Sequence, residues 1–204
     1  LVVVPSSSLA LVLLVVGGSG WAAWVAVRRP AASFAVRVLA LVGWAALVVS
    51  IVFGGIPIQH ALIDVLQSES ATMRFDVQWT PMVTIIAAIQ SGEQMKLMQV
   101  AANAVLLAPG GFLLATLVPN HARSARTMLR TGLAIAAALE TTQFVANVAY
   151  GFLWKIVDVD DIILNTAGFA AGWSLAQAIR SACENTKRVG ERHRTAASPG
   201  ARLP

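Results

Sequence analysis

Five stretches of this chain are apolar over the length needed to cross a bilayer, and that feature limits its fold more than any other. A helix needs about 20 mostly apolar residues to span the hydrocarbon core. Residues 9–27, 34–56, 97–118, 131–150 and 162–179 meet that need. Charged side chains make up 12% of the chain, against about a quarter in an ordinary soluble domain. They are missing from long stretches rather than thinly spread. The expected fold class is therefore all-α: a polytopic membrane protein with five transmembrane helices. The first run has no basic segment before it and a second run follows closely, so it is expected to be a retained helix and not a cleaved signal peptide. Residues 81–90 are apolar over half the spanning length and are expected to form an interfacial or re-entrant helix. Thr80 is its expected N-cap, with Pro81 in the first turn.

Positive charge gives the direction of the spans, because cytoplasmic segments hold an excess of Lys and Arg. Arg28, Arg29 and Arg37 stand at the junction of the first two spans, and Arg123, Arg126 and Arg130 between the third and fourth. Arg180, Lys187, Arg188, Arg192, Arg194 and Arg202 follow the fifth. The other side holds only Arg74, Lys96 and Lys155 beside seven carboxylates. The N-terminus is thus expected outside and the C-terminus inside. Residues 1–75 hold two helices and the start of an outer loop, 76–180 a three-helix core with the short helix, and 181–204 a basic tail expected to be disordered near anionic lipid headgroups.

Polar side chains within the spans are costly in hydrocarbon unless paired. Glu140 falls near mid-membrane, and Gln143 and Asn147 share its helical face. Asn103 and Asn165 lie in the outer halves of the third and fifth spans. Asp158, Asp160 and Asp161 stand where the fifth begins, and one of them is expected to cap it. Asp161, Asn165, Gly168 and Gly172 form one stripe, with Gly168 and Gly172 spaced for close helix contact. That stripe faces protein and turns Asp161 and Asn165 inward, toward an expected crevice open to the outside. Pro109, followed by Gly110 and Gly111, is expected to kink the third span and leave the Val105 carbonyl without its helical donor.

Several function classes are excluded or weakened. The basic residues form no aromatic-interleaved face, so nucleic acid is not an expected partner. Cys183 is the single cysteine, so no intramolecular disulfide forms. His60, His121 and His193 fall on different sides and cannot share a metal. No cofactor is expected. If a hard divalent cation binds, Asp158, Asp160 and Asp161 are where oxygen ligands gather, although no calcium-loop spacing accompanies them. Trp79 and Trp154 near the outer boundary, and Trp21 and Trp24 near the inner one, are interface anchors.

The motifs in residues 76–177 resemble those of the VanZ-like family of small bacterial membrane proteins. NAVLLAPGG is similar to its Asn–x5–Pro–x–Gly motif, through Asn103, Pro109 and Gly111. ALETTQF is similar to its Glu–x–x–Gln motif, through Glu140 and Gln143. DVDDIILNTAGFAAG is similar to its acidic loop and Asn–Thr–x–Gly, through Asp158, Asp161, Asn165, Gly168 and Gly172. WTPMVTI is similar to the family's Pro-containing segment ahead of the first motif. Spans one and two do not contribute. The chain departs from the family pattern at Leu107, where an aromatic is common, at Ala136, where a serine is common, and at Lys155, where an arginine is common. Lysine lacks the planar bidentate fork of arginine.

The resemblance implies a multi-pass protein of the bacterial plasma membrane and a link to resistance against the glycopeptide teicoplanin. The leading expectation is binding of an envelope lipid, a lipid-linked envelope precursor or a (lipo)glycopeptide headgroup by Asn103, Glu140, Gln143, Asp158, Asp161 and Asn165. Catalysis is left open, with Glu140 as the candidate acid or base and no nucleophile beside it. A proton-coupled transporter or helper subunit is the third alternative. The oligomeric state is not legible.

Overall fold

The structure, a computed structural model, describes residues 33–53, 63–65, 67–68, 77–118 and 124–196. Four helices among these are long and apolar enough to cross a membrane, over Phe34–Phe53, Gln94–Leu117, Ala125–Tyr150 and Val159–Arg192. The first expected span, residues 9–27, lies outside the described residues. The elements in order are α1 (Ser33–Phe53), β1 (Val77–Gln78), α2 (Val83–Ser91), α3 (Gln94–Leu106), α4 (Ala108–Leu117), α5 (Ala125–Tyr150), β2 (Val157–Asp158) and α6 (Val159–Ala196).

Each long helix turns one stripe inward and leaves other large apolar side chains exposed, as a protein in lipid does. In α1, Trp44, Val48 and Val52 recur every four residues and are buried, while Leu39, Val42 and Val49 are exposed. In α5 the buried stripe is Gly132, Ala136, Glu140, Gln143 and Asn147, and Leu133, Val145 and Val148 face outward. The core joins Trp44, Val48, Leu113, Ala136, Phe169 and Trp173 from four helices with Leu107 from the junction of α3 and α4.

The third span divides into α3 and α4 at Leu107. Pro109 has no N–H to give Val105, the bond that would carry the helix through. The Val105 carbonyl is not left open as expected, because the Leu107 N–H turns to it. The ladder resumes with Gly111 N–H donating to the Leu107 carbonyl at 3.0 Å. The break is also held from α1, whose Trp44 indole N–H donates to the Leu106 carbonyl at 3.2 Å. That approach requires the small residue beneath the ring: a Cβ on Gly110 would lie 2.2 Å from Trp44.

α6 packs backbone to backbone against α3 and α4. A Cβ on Gly168 would lie 2.1 Å from the Ala104 carbonyl oxygen, and one on Gly172 1.8 Å from that of Ala108. On the adjoining face, Gly132 of α5 receives the Phe169 ring, with its would-be Cβ 2.9 Å away. β1 and β2 pair in parallel, Val77 with Val157 and Gln78 with Asp158. This two-stranded clip ties the segment ahead of α2 to the start of α6.

Two expectations are corrected here. The tail expected to be disordered from residue 181 continues α6 as helix through Ala196. Glu184 with Arg188, and Lys187 with Glu191, are spaced i, i+4, so opposite charges support the exposed turns. Thr80 does not cap the short helix. Its own N–H is taken by the Gln78 side chain at 3.1 Å, and α2 begins at Val83 after Met82, which adopts a left-handed φ of 68°.

Candidate functional site

The polar residues singled out in the sequence lie in one half of the bundle, the half in which α3 and α6 begin and α5 ends. Two of the three aspartates there hold the fold together. Asp158 stands at the N-cap of α6 and accepts the Asp160 N–H at 2.8 Å, and its other oxygen accepts the Thr84 hydroxyl. Asp160 is 0% exposed and caps α2 from 75 residues away or more. It accepts the N–H groups of Met82, of Thr84 at 2.9 Å and of Ile85 at 3.2 Å. A carboxylate at the positive end of a helix suits the macrodipole as well as the free donors. Thr84 was not singled out in the sequence, since nothing local marks a hydroxyl whose partner is 74 residues away.

Asp161 turns the other way and accepts the amide N–H of Asn103 on α3. Glu140 is 3% exposed, and its Oε2 accepts the Asp158 backbone N–H at 3.3 Å, a long bond. Asn147 clamps the loop after α5. It accepts from Trp154 N–H at 3.0 Å and Lys155 N–H at 3.2 Å, and donates to the Lys155 carbonyl at 2.6 Å. Gln143 is buried between Glu140 and Asn147 on the same stripe.

Lys155 is the one cation named for this end of the bundle whose position the clamp fixes. Its ammonium lies 5.1 Å from the Trp154 ring centroid, and Trp154 stacks on Phe53 of α1 at 6.0 Å. Burial pushes Lys155 below the ordinary lysine value, while the nearby charges of Glu140 and Asp161 pull it back up. No ion pair within 4.0 Å joins Lys155 to Glu140 or Asp161, so Lys155 shares the field of the two carboxylates without touching either.

Asn165 is 3% exposed, and its Oδ1 has no hydrogen-bond partner. Its direction follows from its neighbours. At about 100° per residue, it falls between Gly168 and Gly172, which face α3 and α4, and Phe169, which faces α5. The contact of Gly132 with Phe169 sets the antiparallel register of α5 on α6. Counting about 1.5 Å per residue from it puts Ala136 level with Asn165 and Glu140 level with Asp161. Asn165 therefore points between α3 and α5, one turn deeper than Asp161.

Among the described residues, no group of three His, Cys, Asp or Glu is placed to hold a metal ion. The oxygens of Asp158 and Asp160 are directed to N–H and O–H donors of the fold.

The sequence profile described as VanZ/LLP1 matches residues 39–180, more than half of the chain. The chain belongs to the VanZ/LLP1 family. The match begins well before residue 76 and so takes in most of α1, which the sequence motifs left out. Its place in the family region is physical: α1 supplies Trp44 to the α3–α4 break, Phe53 to Trp154, and Arg37, whose guanidinium donates to the Thr116 carbonyl at 2.8 Å. Comparison with curated proteins and with solved structures finds no match. For this VanZ/LLP1 member, the motif residues therefore divide into two groups. Asp158, Asp160, Pro109, Gly111, Gly168 and Gly172 shape and join helices. Asn103, Glu140, Gln143, Asp161 and Asn165 face the seam between α3, α5 and α6.

Proposed function

We propose that this VanZ/LLP1 member is a multi-pass protein of the bacterial plasma membrane that binds a headgroup from the outer side. The headgroup belongs to a cell-envelope lipid or a (lipo)glycopeptide, which connects the family to glycopeptide resistance such as that against teicoplanin. The observation that carries the reading is the Asn165 Oδ1, buried and unpaired beside Glu140 and the pair of Asp161 and Asn103. A buried acceptor without a donor costs roughly 1–3 kcal/mol, which a donor on a bound molecule offsets.

Charge supports the orientation. Arg126, Arg130, Arg180, Lys187, Arg188 and Arg192 stand at the end of the bundle opposite the carboxylates, and such clusters stay in the cytoplasm. On the carboxylate side, α2 is too short to span, at about 14 Å. It exposes Val83, Ile86 and Ile89 and buries Ala88, the pattern of a helix lying in the interface. Asp160 fixes that helix beside the site, where a lipid headgroup arrives laterally.

The test is teicoplanin susceptibility together with labelled-ligand binding in cells carrying Glu140→Gln or Asp161→Asn, at matched protein levels. The reading expects both variants to lose binding and to shift susceptibility. Unchanged values for both remove it.

A further inference from the structure

The hydrogen-bonding inventory of the site restricts what it takes. Glu140, Asp161 and Asn165 present acceptor oxygens toward one seam. Against them stand the Asp158 N–H at 3.3 Å from Glu140, the Asn103 amide on Asp161, and the side-chain amide N–H groups of Gln143 and of Asn165 itself. Asp158 and Asp160 add negative charge nearby with their oxygens already engaged. The Lys155 ammonium reaches none of these carboxylates within 4.0 Å. With two lone pairs on each oxygen, acceptor sites still exceed the N–H donors, carboxylates exceed cations, and Asn165 Oδ1 is buried with no partner.

An anionic group brings more acceptors and more negative charge, so a phosphate or carboxylate is repelled here. A quaternary ammonium brings charge without an N–H. A primary ammonium brings one positive charge and three donors on a single atom, which answers both the charge and the unpaired oxygen. We infer that the site selects a primary amine: the group recognised on its ligand is an –NH3+, set among Glu140, Asp161 and Asn165. This rests on the headgroup-binding reading above and narrows it. Two sources carry such a group, the amino headgroup of an amphiphile and a free amino sugar.

The experiment uses the full chain in phosphatidylcholine nanodiscs, with protein-free nanodiscs as blank and isothermal titration as readout. Decylamine, decyltrimethylammonium, N-acetyldecylamine and decyl phosphate share one tail and differ only in the head. Glucosamine tests the tail-free source. A hydrogen bond to a charged group is worth enough to give about a tenfold preference or more, so decylamine is expected to bind at least about tenfold tighter than its three analogues. Competition by glucosamine assigns the recognition to the amine alone, and its absence assigns it to an amine on a lipid tail; both outcomes support the inference. Lys155→Met, which removes the competing cation, is expected to tighten decylamine binding severalfold. Asn165→Leu is expected to weaken it and to leave decyl phosphate unaffected.

Preference for decyl phosphate, or decylamine binding weakened by Lys155→Met, overturns the inference. If one of the other heads binds best and its binding falls in Glu140→Gln, the amine assignment fails while headgroup binding stands. If no amphiphile binds above the blank, both fail. The comparison of heads on the unaltered protein decides the question even where a variant does not fold.

Discussion

Replacing Asp160 by alanine should release α2 from the bundle while leaving the long helices in place. The carboxylate is fully buried and accepts from Met82, Thr84 and Ile85. Loss of an N-cap costs about 1 kcal/mol, up to about 2, and each buried donor left without a partner adds about 1–3 kcal/mol. Water entering at the interface recovers part of this, so the expected cost is about 3 kcal/mol, concentrated at α2. The opening equilibrium of that helix then rises by about a hundredfold. Hydrogen exchange of the amides of residues 82–91, in detergent or nanodiscs, reads this directly. Asp160→Asn keeps one acceptor oxygen and should lose about half as much. Asp161→Ala is the control, because Asp161 bonds Asn103 and not α2. Unchanged exchange in Asp160→Ala, or equal loss in Asp161→Ala, refutes the capping account.

Further outcomes follow from single contacts. Gly172→Ala places a Cβ 1.8 Å from the Ala108 carbonyl oxygen, so α4 and α6 must separate. The expected destabilisation is about 2–3 kcal/mol in a denaturant-unfolding assay, and less than about 0.5 kcal/mol contradicts the packing. Ala136→Ser sets a hydroxyl level with the unpaired Asn165 Oδ1 and should stabilise the protein by about 1 kcal/mol; destabilisation argues against that register. Lys155 is held below its ordinary value of 10.5 by burial. The unfolded chain therefore binds more protons between the folded value and 10.5, and stability rises with pH across that window. Lys155→Met should flatten the rise, and an unchanged slope assigns it elsewhere.

The spans and their polar faces were legible because they depend on composition and on spacing within one helix. The α5 stripe of Glu140, Gln143 and Asn147 needs only helical periodicity, and the apolar runs need only their length. The break at Pro109 was legible for the same local reason. What crosses between helices was not. Asp160 reads as one of three similar carboxylates until the fold brings Met82, Thr84 and Ile85 to it. Asn147 reads as one more polar residue on the Glu140 face until the loop after α5 folds over and bonds its amide. Gly110 and Trp44 carry no mutual signal across a separation of 66 positions, yet one exists to admit the other. The continuation of α6 to Ala196 was missed because charge and composition were weighed above the i, i+4 pairing that stabilises an exposed helix.

Side-specific thiol labelling tests most directly whether the carboxylate end faces outward. Cys183 is exposed beyond the last apolar turns of α6, and Glu93 is exposed just ahead of α3, at the end of the bundle where α6 begins with Asp160 and Asp161. In intact cells a membrane-impermeant maleimide should label Glu93→Cys in a Cys183→Ser background and leave the native Cys183 untouched until the cells are opened. Labelling of Cys183 in intact cells, with Glu93→Cys protected, contradicts an outward-facing site.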